Sequence, residues 1–598
     1  MSIMSDFENE VRVAVSGALA AMGAADVAFP VEASNMENVD LAVPCFSMAK
    51  ALRKAPQAIA DELAAAIQPA GLIAAVSSVN GFLNFCIDSS AMVSGVLSEV
   101  VSKGASYGTM APTGVRVNVE HTSTNPTGPI HVGRARNPVI GDTLARCLKR
   151  CGHDVTTEYY VNDVGKQVVI LTWGVNNCPD GPVRNGDDSH FDEGLKAAYA
   201  AACEKFPDNG EDRDKVDHKT VLFYRRANAM MESSPVVQEQ IADMLRRFED
   251  GDQQVIDTVR KTAEMMLGGL RETLGSINVA LDRYTWESGY IADGSARATV
   301  EEIKKSEYSG QTDDGAWFVD LKDFGIKGKN TKFTFTRSDG TTLYTTRDIA
   351  YHIDKFTRSD RVIDVLGEDQ KLGSQQLCSV LDILGTGKQP EPMFYAFVSL
   401  PEGKMSTRKG VVVYLDDLID EAVARAYEEI SKRRSDMSED RMREIARIVG
   451  VAAVRYNIIR VQPEKQFVFK WEEALNFDGN SGPYLQYVHA RACSLLRKAG
   501  AFEHDTDSSK LTDEFEVKLV KTIARYEEVL RAAGDDKRVH VLPAYGHDLA
   551  VAFNQFYAAV SVLDAGDRKN ARLTLVEATK TVLADVLDCL GMGAPEEM

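Results

Sequence analysis

The stretch Val115–Asp142, VRVNVEHTSTNPTGPIHVGRARNPVIGD, constrains the fold more than any other part of the chain. Val117 and Val119 continue an alternation begun at Val115, the pattern of a strand with one face buried. From His121 to Ile130 the residues are Thr, Ser, Asn, Pro and Gly, a loop composition. His131-Val132-Gly133 then opens a helix whose apolar side runs through Ile140, Leu144, Cys147 and Leu148. A strand, loop and helix in this order is how an α/β sheet binds a nucleotide. The strand ends at the crevice, and the helix N-terminus offers free N–H groups and a positive dipole end to phosphate. Gly133, without a side chain, lets a base or ribose approach the backbone, and His131 is placed to donate to a phosphate oxygen.

The chain has 598 residues, enough for three or more domains. Its hydrophobic fraction of 44% and charged fraction of 26% are those of a globular protein, and no run of 18 apolar residues predicts a membrane span. The N-terminus lacks the basic and apolar regions of a secretory signal, and the nine Cys show no zinc-ligand spacing. The expected state is reduced thiols in a cytoplasm, without structural zinc. A net charge of −20 argues against nucleic-acid binding. From Asp436 to Met598 there are 21 Lys+Arg against 26 Asp+Glu. A local basic track on such a body remains compatible with RNA, because screening at physiological salt acts over about 8 Å.

A second motif, Lys404-Met405-Ser406-Thr407-Arg408-Lys409-Gly410, follows an expected last strand at Phe394–Leu400. The pair resembles the two signatures of the class I aminoacyl-tRNA synthetases, H-x-G-H and K-M-S-K, with Arg134 at the fourth position of the first and Thr407 at the last of the second. Asn125-Pro-Thr-Gly-Pro-Ile-His131, Tyr344-Thr-Thr-Arg-Asp348 and the ending Ala594-Pro595-Glu596 narrow the resemblance to the arginyl-tRNA synthetases over nearly the whole chain. The resemblance implies a Rossmann-type α/β catalytic domain over 113–415, with a helical insertion near 174–275 and a small β insertion near 300–345. It also implies an α/β tRNA-contacting domain over 1–112 and an all-α anticodon-binding bundle over 416–598. Within that bundle, apolar periodicity predicts helices over Arg441–Ile459, Tyr484–Ala499, Phe515–Ala533, Tyr545–Leu563 and Ala571–Leu590.

The implied reaction joins L-arginine to ATP, releasing pyrophosphate, and then passes arginine to the terminal adenosine of tRNA(Arg). In the family the 2′-hydroxyl is loaded and activation needs bound tRNA. An α-carboxylate attacks the α-phosphorus in line, so the protein must position reactants and bring donors and cations to the growing phosphate charge. By resemblance, His131, Gly133, Arg134, Lys404, Met405, Ser406, Arg408 and Lys409 carry this step, with Mg²⁺ accompanying ATP. ATP contacts fall to Thr124, Asn137, Gly367 and Glu368 beside His131, Gly133 and Lys404. Guanidinium is planar and always charged, and calls for acceptors in fixed geometry. In the family these are the acids matched here by Glu120, five residues before Asn125, and Asp348, four after Tyr344; Gln375 matches a further contact. Asp348 also reads as a helix N-cap or first-turn acid. Tyr484, Gln486, Tyr487 and Arg491 are the expected tRNA contacts, by stacking and charge. The chain is expected to act as a monomer. The alternatives are another class I synthetase and an inactive RNA-binding paralogue; Glu120 and Asp348 argue against acidic substrates, and the retained His131, Lys404 and Asp348 against inactivity.

Overall fold

A computed structural model describes residues 3–34, 36, 39–208, 214–326, 331–399, 413–434 and 436–598. The strand beginning the nucleotide motif is Arg116–Glu120 (β1), the centre of a five-stranded parallel sheet. Its other strands are Asp154–Val161 (β2), Arg283–Trp286 (β3), Arg361–Gly367 (β4) and Glu391–Tyr395 (β5), in the order β3-β2-β1-β4-β5. The chain builds outward from β1 to β3 and returns to the other side of β1 for β4. Beyond the carboxyl ends of β1 and β4 the connections diverge, which opens a crevice there.

Val117 and Val119 face the helix Arg136–Arg150 (α1), whose Ile140, Leu144, Cys147 and Leu148 are all buried as the periodicity predicts. The opposite face of β1 was expected to be solvated. Instead Asn118 and Glu120 are buried too: Lys355 of the helix Tyr344–Arg358 donates to Glu120, and Asn118 donates to Glu158 of β2, which Arg358 of the same helix covers. The last strand also differs from expectation. It starts at Glu391 and leaves the sheet after Tyr395, where Ala396 is drawn away: its N–H donates to Pro463 O (2.8 Å) and its carbonyl accepts from Arg136 Nη1 (2.9 Å). Val398–Ser399 then pairs with Phe467–Val468.

The insertion holds four helices, Glu193–Lys205, Val216–Ser233 (α2), Pro235–Glu249 and Gln253–Ser276 (α3). Between the last two of these the chain turns at Gly251, in a left-handed conformation, and the next helix starts with Asp252 capping Gln254 and Val255 N–H. A three-stranded antiparallel sheet at Ser309–Gln311, Trp317–Asp320 and Lys332–Thr334 precedes Tyr344–Arg358 (α4). At the N-terminus the helix Ile3–Ala21 and a four-stranded antiparallel sheet form a mixed α/β unit, which also holds the helices Ala49–Leu52 and Pro56–Ala66, the second started by Pro56.

The C-terminal part is helical: Leu415–Arg433 (α5), Glu439–Ile459 (α6), Gly482–Ala499 (α7), Glu514–Ala524, Tyr526–Gly534, Val541–Ala559 and Lys569–Cys589 (α8). The expected helix Phe515–Ala533 breaks at Arg525, which turns Tyr526 inward between the rings of Tyr107 and Tyr545. Arg455 of α6 is fully buried and ties three parts together. It donates to Asp142 of α1, to Ile277 O at the end of the insertion, and to Leu590 O after α8, each at 2.6 Å.

Gly141 of α1 passes so close to the end of β1 that a Cβ there would lie 2.3 Å from the Cβ of His121. Gly141→Ala is expected to cost about 1–3 kcal/mol by overpacking and to lower the thermal unfolding midpoint; a variant that melts with the wild type would show that α1 can move off the strand.

Candidate active site

The loop after β1 is held in a conformation that side chains rarely adopt. Thr122 and Ser123 have φ of 72° and 35°, both left-handed. Their surroundings impose it. Thr122 N–H donates to Asn137 Oδ1 (2.7 Å), Ser123 Oγ donates to Glu120 (2.9 Å) and accepts from Tyr160 N–H (3.1 Å), and Thr124 O accepts from Tyr159 Oη. Asn137 also donates to Val365 O of β4 (3.1 Å), so one amide joins both lips of the crevice. Its polar atoms are largely engaged in this joint. Thr124 is half-buried, and Asn125 is exposed with its amide 3.4 Å from Gln167 Oε1.

His131 ends the loop as the cap of a single 3₁₀ turn, Val132–Arg134, that precedes α1. Its Nδ1 accepts from Gly133 N–H (3.0 Å), which leaves Nε2 to carry the proton. Burial, and then the Arg134 charge, lower its pKa, so the ring is a neutral donor at pH 7. Gly133 is buried; Arg134 is exposed, and no described side chain pairs with it. The turn is fixed by Val132 N–H to Val413 O (3.1 Å) and Leu415 N–H to Ile130 O (2.8 Å). The expected residues Lys404, Met405, Ser406, Arg408 and Lys409 lie outside the described residues.

Tyr344 and Asp348 stand one turn apart on α4, both open to the crevice side; Tyr344 is 69% exposed. The helix begins at Tyr344 with Leu343 as its cap, so Asp348 is not a capping residue. Glu120 is deeper: its Oε1 accepts from Ser123 and its Oε2 from the buried Lys355 ammonium. Gly367 is buried at the end of β4, and a Cβ there would lie 3.0 Å from the Phe397 ring, so this wall is closed to anything larger than glycine. Glu368 and Gln375 are exposed beyond it.

One acid was missed in the sequence. Glu287, just past β3, is 1% exposed and accepts from Arg347 Nε (2.6 Å). Burial raises its pKa to about 7 against the pull of Arg347, and the charges of Asp163 and Asp348 add to the rise. No motif marks it; the only sequence signal was a carboxylate beyond a short aromatic strand. Two groups with metal-ligand spacing occur among the described residues, Glu120/His352/Asp364 and Asp217/His218/Asp416, and neither reads as a metal site because Lys355 and Lys215 place an ammonium in each.

Far from the crevice, Arg491 of α7 lies 4.8 Å from the Tyr487 ring and 5.3 Å from the Tyr557 ring, and bonds Asn554, which in turn bonds Tyr484. Tyr487, Arg491 and Tyr557 line a groove of about 530 Å³ with Arg434, Arg497 and Lys498. Gln486 stands apart. It is fully buried and donates to Gly593 O (2.7 Å).

A switch-point crevice with a histidine-capped helix, on this sheet order, is the catalytic domain of a class I aminoacyl-tRNA synthetase. The family model described as "tRNA synthetases class I (R), catalytic domain" matches residues 96–471. Models for the "DALR anticodon binding domain" and the "Arginyl tRNA synthetase N terminal domain" match 485–598 and 8–87. The chain is 43% identical over 589 residues to an arginine–tRNA ligase of Methanocella arvoryzae, covering 98% of this chain and 99% of the relative. It is 37% identical over 598 residues to one of Methanothermobacter thermautotrophicus, covering 99% of each. Among solved structures, the Thermus thermophilus arginyl-tRNA synthetase superposes with a TM-score of 0.81 at 27% identity, covering 99% of this chain and 100% of that one. The chain belongs to the arginyl-tRNA synthetase family.

Glu287 also gives the stability a pH signature. Its folded pKa lies above its unfolded one, so the folded state holds the extra proton and stability is lost as pH rises from about 4.5 to about 7, by an amount on the order of 3 kcal/mol. Glu287→Gln is expected to remove that component. Thermal midpoints of both proteins across this range test it; parallel curves would place the proton elsewhere.

Proposed function

We propose that this crevice makes arginyl-adenylate from ATP and L-arginine, releases pyrophosphate, and transfers arginine to the 3′-terminal adenosine of tRNA(Arg). The observation that carries the reading is the contrast between hydrogen-bond donors on one side and carboxylate acceptors on the other. His131 Nε2, the α1 N-terminus and Arg134, with which no described side chain pairs, form a donor side suited to phosphates. On the α4 side Asp348, with Glu120 behind it, offers carboxylate oxygens to a permanent side-chain cation, while Glu287 is engaged by Arg347. ATP phosphates on the first side and guanidinium on the second bring the arginine carboxylate between them, at the α-phosphorus. Positioning then supplies much of the rate. Mg²⁺ accompanying ATP would supply further charge neutralisation. Lys404, Arg408 and Lys409 are the remaining cations of this assignment, with Met405 and Ser406 between them.

Thr124, Asn137, Gly367 and Glu368 are assigned to the nucleotide, Asn137 by holding β1 and β4 at the right separation. Asn125, Tyr344 and Gln375 complete the amino-acid side. The groove at Tyr487 and Arg491 supports RNA binding by the C-terminal bundle, since rings and guanidinium groups there offer stacking surfaces and charge. Tyr484 supports that surface through Asn554, and Gln486 supports it from the core. No described helix is long and apolar enough to cross a membrane. The proposed setting is the cytoplasm, and the proposed acting unit a single chain, since one chain supplies every residue of the site.

ATP–pyrophosphate exchange with each of the twenty amino acids, with and without tRNA, tests the reading. Exchange is expected with arginine only. His131→Ala is expected to lower it by about 100- to 1000-fold, the usual loss for one donor to a developing oxyanion, with the arginine KM little changed. Exchange with a different amino acid would unseat Asp348 and Glu120 from their role. An unimpaired alanine variant would unseat His131.

A further inference from the structure

The face of α4 that carries Asp348 continues inward with His352 and Lys355, one and two turns on. Both are buried, at 3% and 0% exposure. The Lys355 ammonium donates to Glu120 Oε2 and to Asp364 Oδ1 (2.8 Å), and lies 4.1 Å from the Tyr351 ring centre. His352 Nε2 lies 2.9 Å from Asp364 Oδ2, and its Nδ1 lies 2.8 Å from the Asp348 carbonyl and 3.2 Å from its carboxylate. Asp364 on β4 thus binds both cations, and each cation binds one of the two acids assigned to guanidinium.

A purely architectural layer looks different one turn further along. There Glu158 accepts from Asn118, Thr285 and both terminal nitrogens of Arg358, leaving no capacity for a ligand. Glu120 and Asp348 are not used up in this way. Glu120 meets one hydroxyl and one ammonium, and the Asp348 side chain is 43% exposed. We propose that Lys355 and His352 are specificity-determining positioning residues of the arginine site, aiming and charging Glu120 and Asp348 from behind. The inference rests on the reading of those two acids as the guanidinium acceptors.

The electrostatics give each cation a task. Burial and the neighbouring Lys355 oppose charge on His352, yet Asp364 and Asp348 hold its pKa at about 10, so it stays a donor on both nitrogens. Burial raises the Glu120 carboxyl, and Lys355 is the main force opposing that rise. Without the ammonium, Glu120 would take up a proton and lose its attraction for guanidinium. The other groups facing this cluster are Asp364 on β4, Glu158 on β2, Tyr351, Asp348 and Arg358 on α4, Tyr160 on β2, and Cys378 on the helix Lys371–Ile383.

Arginine-dependent exchange by the full chain, with tRNA present, decides the matter. Lys355→Met is expected to raise the arginine KM about tenfold or more near pH 7, a hydrogen bond to a charged group being worth that factor. The KM should fall again as pH rises and Glu120 ionises, while the ATP KM holds and Lys355→Arg stays near the wild type. His352→Gln should also raise the arginine KM selectively. It decides alone if Lys355→Met does not fold. Equal rises in both substrates' KM without a pH trend, or no change in either variant, would overturn the proposal and leave a scaffold role. Asp348→Asn separates the two levels. If it raises the arginine KM and the cation variants do not, only this inference fails; if it changes nothing, the guanidinium reading fails with it.

Discussion

Glu120, Glu158 and Asp364 rise from three adjacent strands into the space beneath α4 and meet Lys355, His352 and Arg358 there. An ion taken out of water without partners costs several kcal/mol, so these groups are buried together or not at all. Apolar packing is non-directional and tolerates a sliding helix. Hydrogen-bonded ion pairs do not, because a shift by one residue would leave each charge facing the wrong atom. The layer therefore sets the register of α4 on the sheet. Tyr344 and Asp348, at the helix start, inherit their distance from the end of β1 from that register.

Much of this was legible in the sequence where one local signal dominated. The alternation of Val117 and Val119, the punctuation of the loop and the four apolar positions of α1 predicted a strand, a loop and a helix, and each is found. Places where tertiary partners overrule local pattern were not legible. The burial of Glu120 depends on a helix more than 200 residues away in sequence, and that of Asn118 on Glu158 of the next strand, neither of which the alternation of β1 shows. The departure of β5 from the sheet depends on Arg136, a charged residue in an apparent helix start. For the site, spacing marked Tyr344 and Asp348, whereas no motif singled out Lys355. Its importance appears only when its burial is known.

The acidic composition and the RNA reading are reconciled by locality. A chain of net charge −20 still places Arg434, Arg491, Arg497 and Lys498 around one groove with two tyrosines, beside Glu596, Glu597 and Met598. Charges elsewhere on the surface are screened over roughly a Debye length, so the groove is governed by its own lining. Whole-chain charge describes the solution behaviour of this protein better than its binding surfaces.

Arg455 has a consequence for how the chain comes into being. Asp142 sits in the helix that follows the first signature, and its buried carboxylate pairs locally with Arg146 and also with a guanidinium more than 300 residues later in synthesis, that of Arg455. That guanidinium in turn waits for the carbonyl of Leu590, which follows the last long helix. Gly591 leaves no room for a side chain against Arg455, so the closing contact is also a tight one. A ribosome-bound chain lacking these residues holds the nucleotide motif without its keystone. The long-range partners of the catalytic helix thus arrive late in synthesis, after the sheet on which it packs.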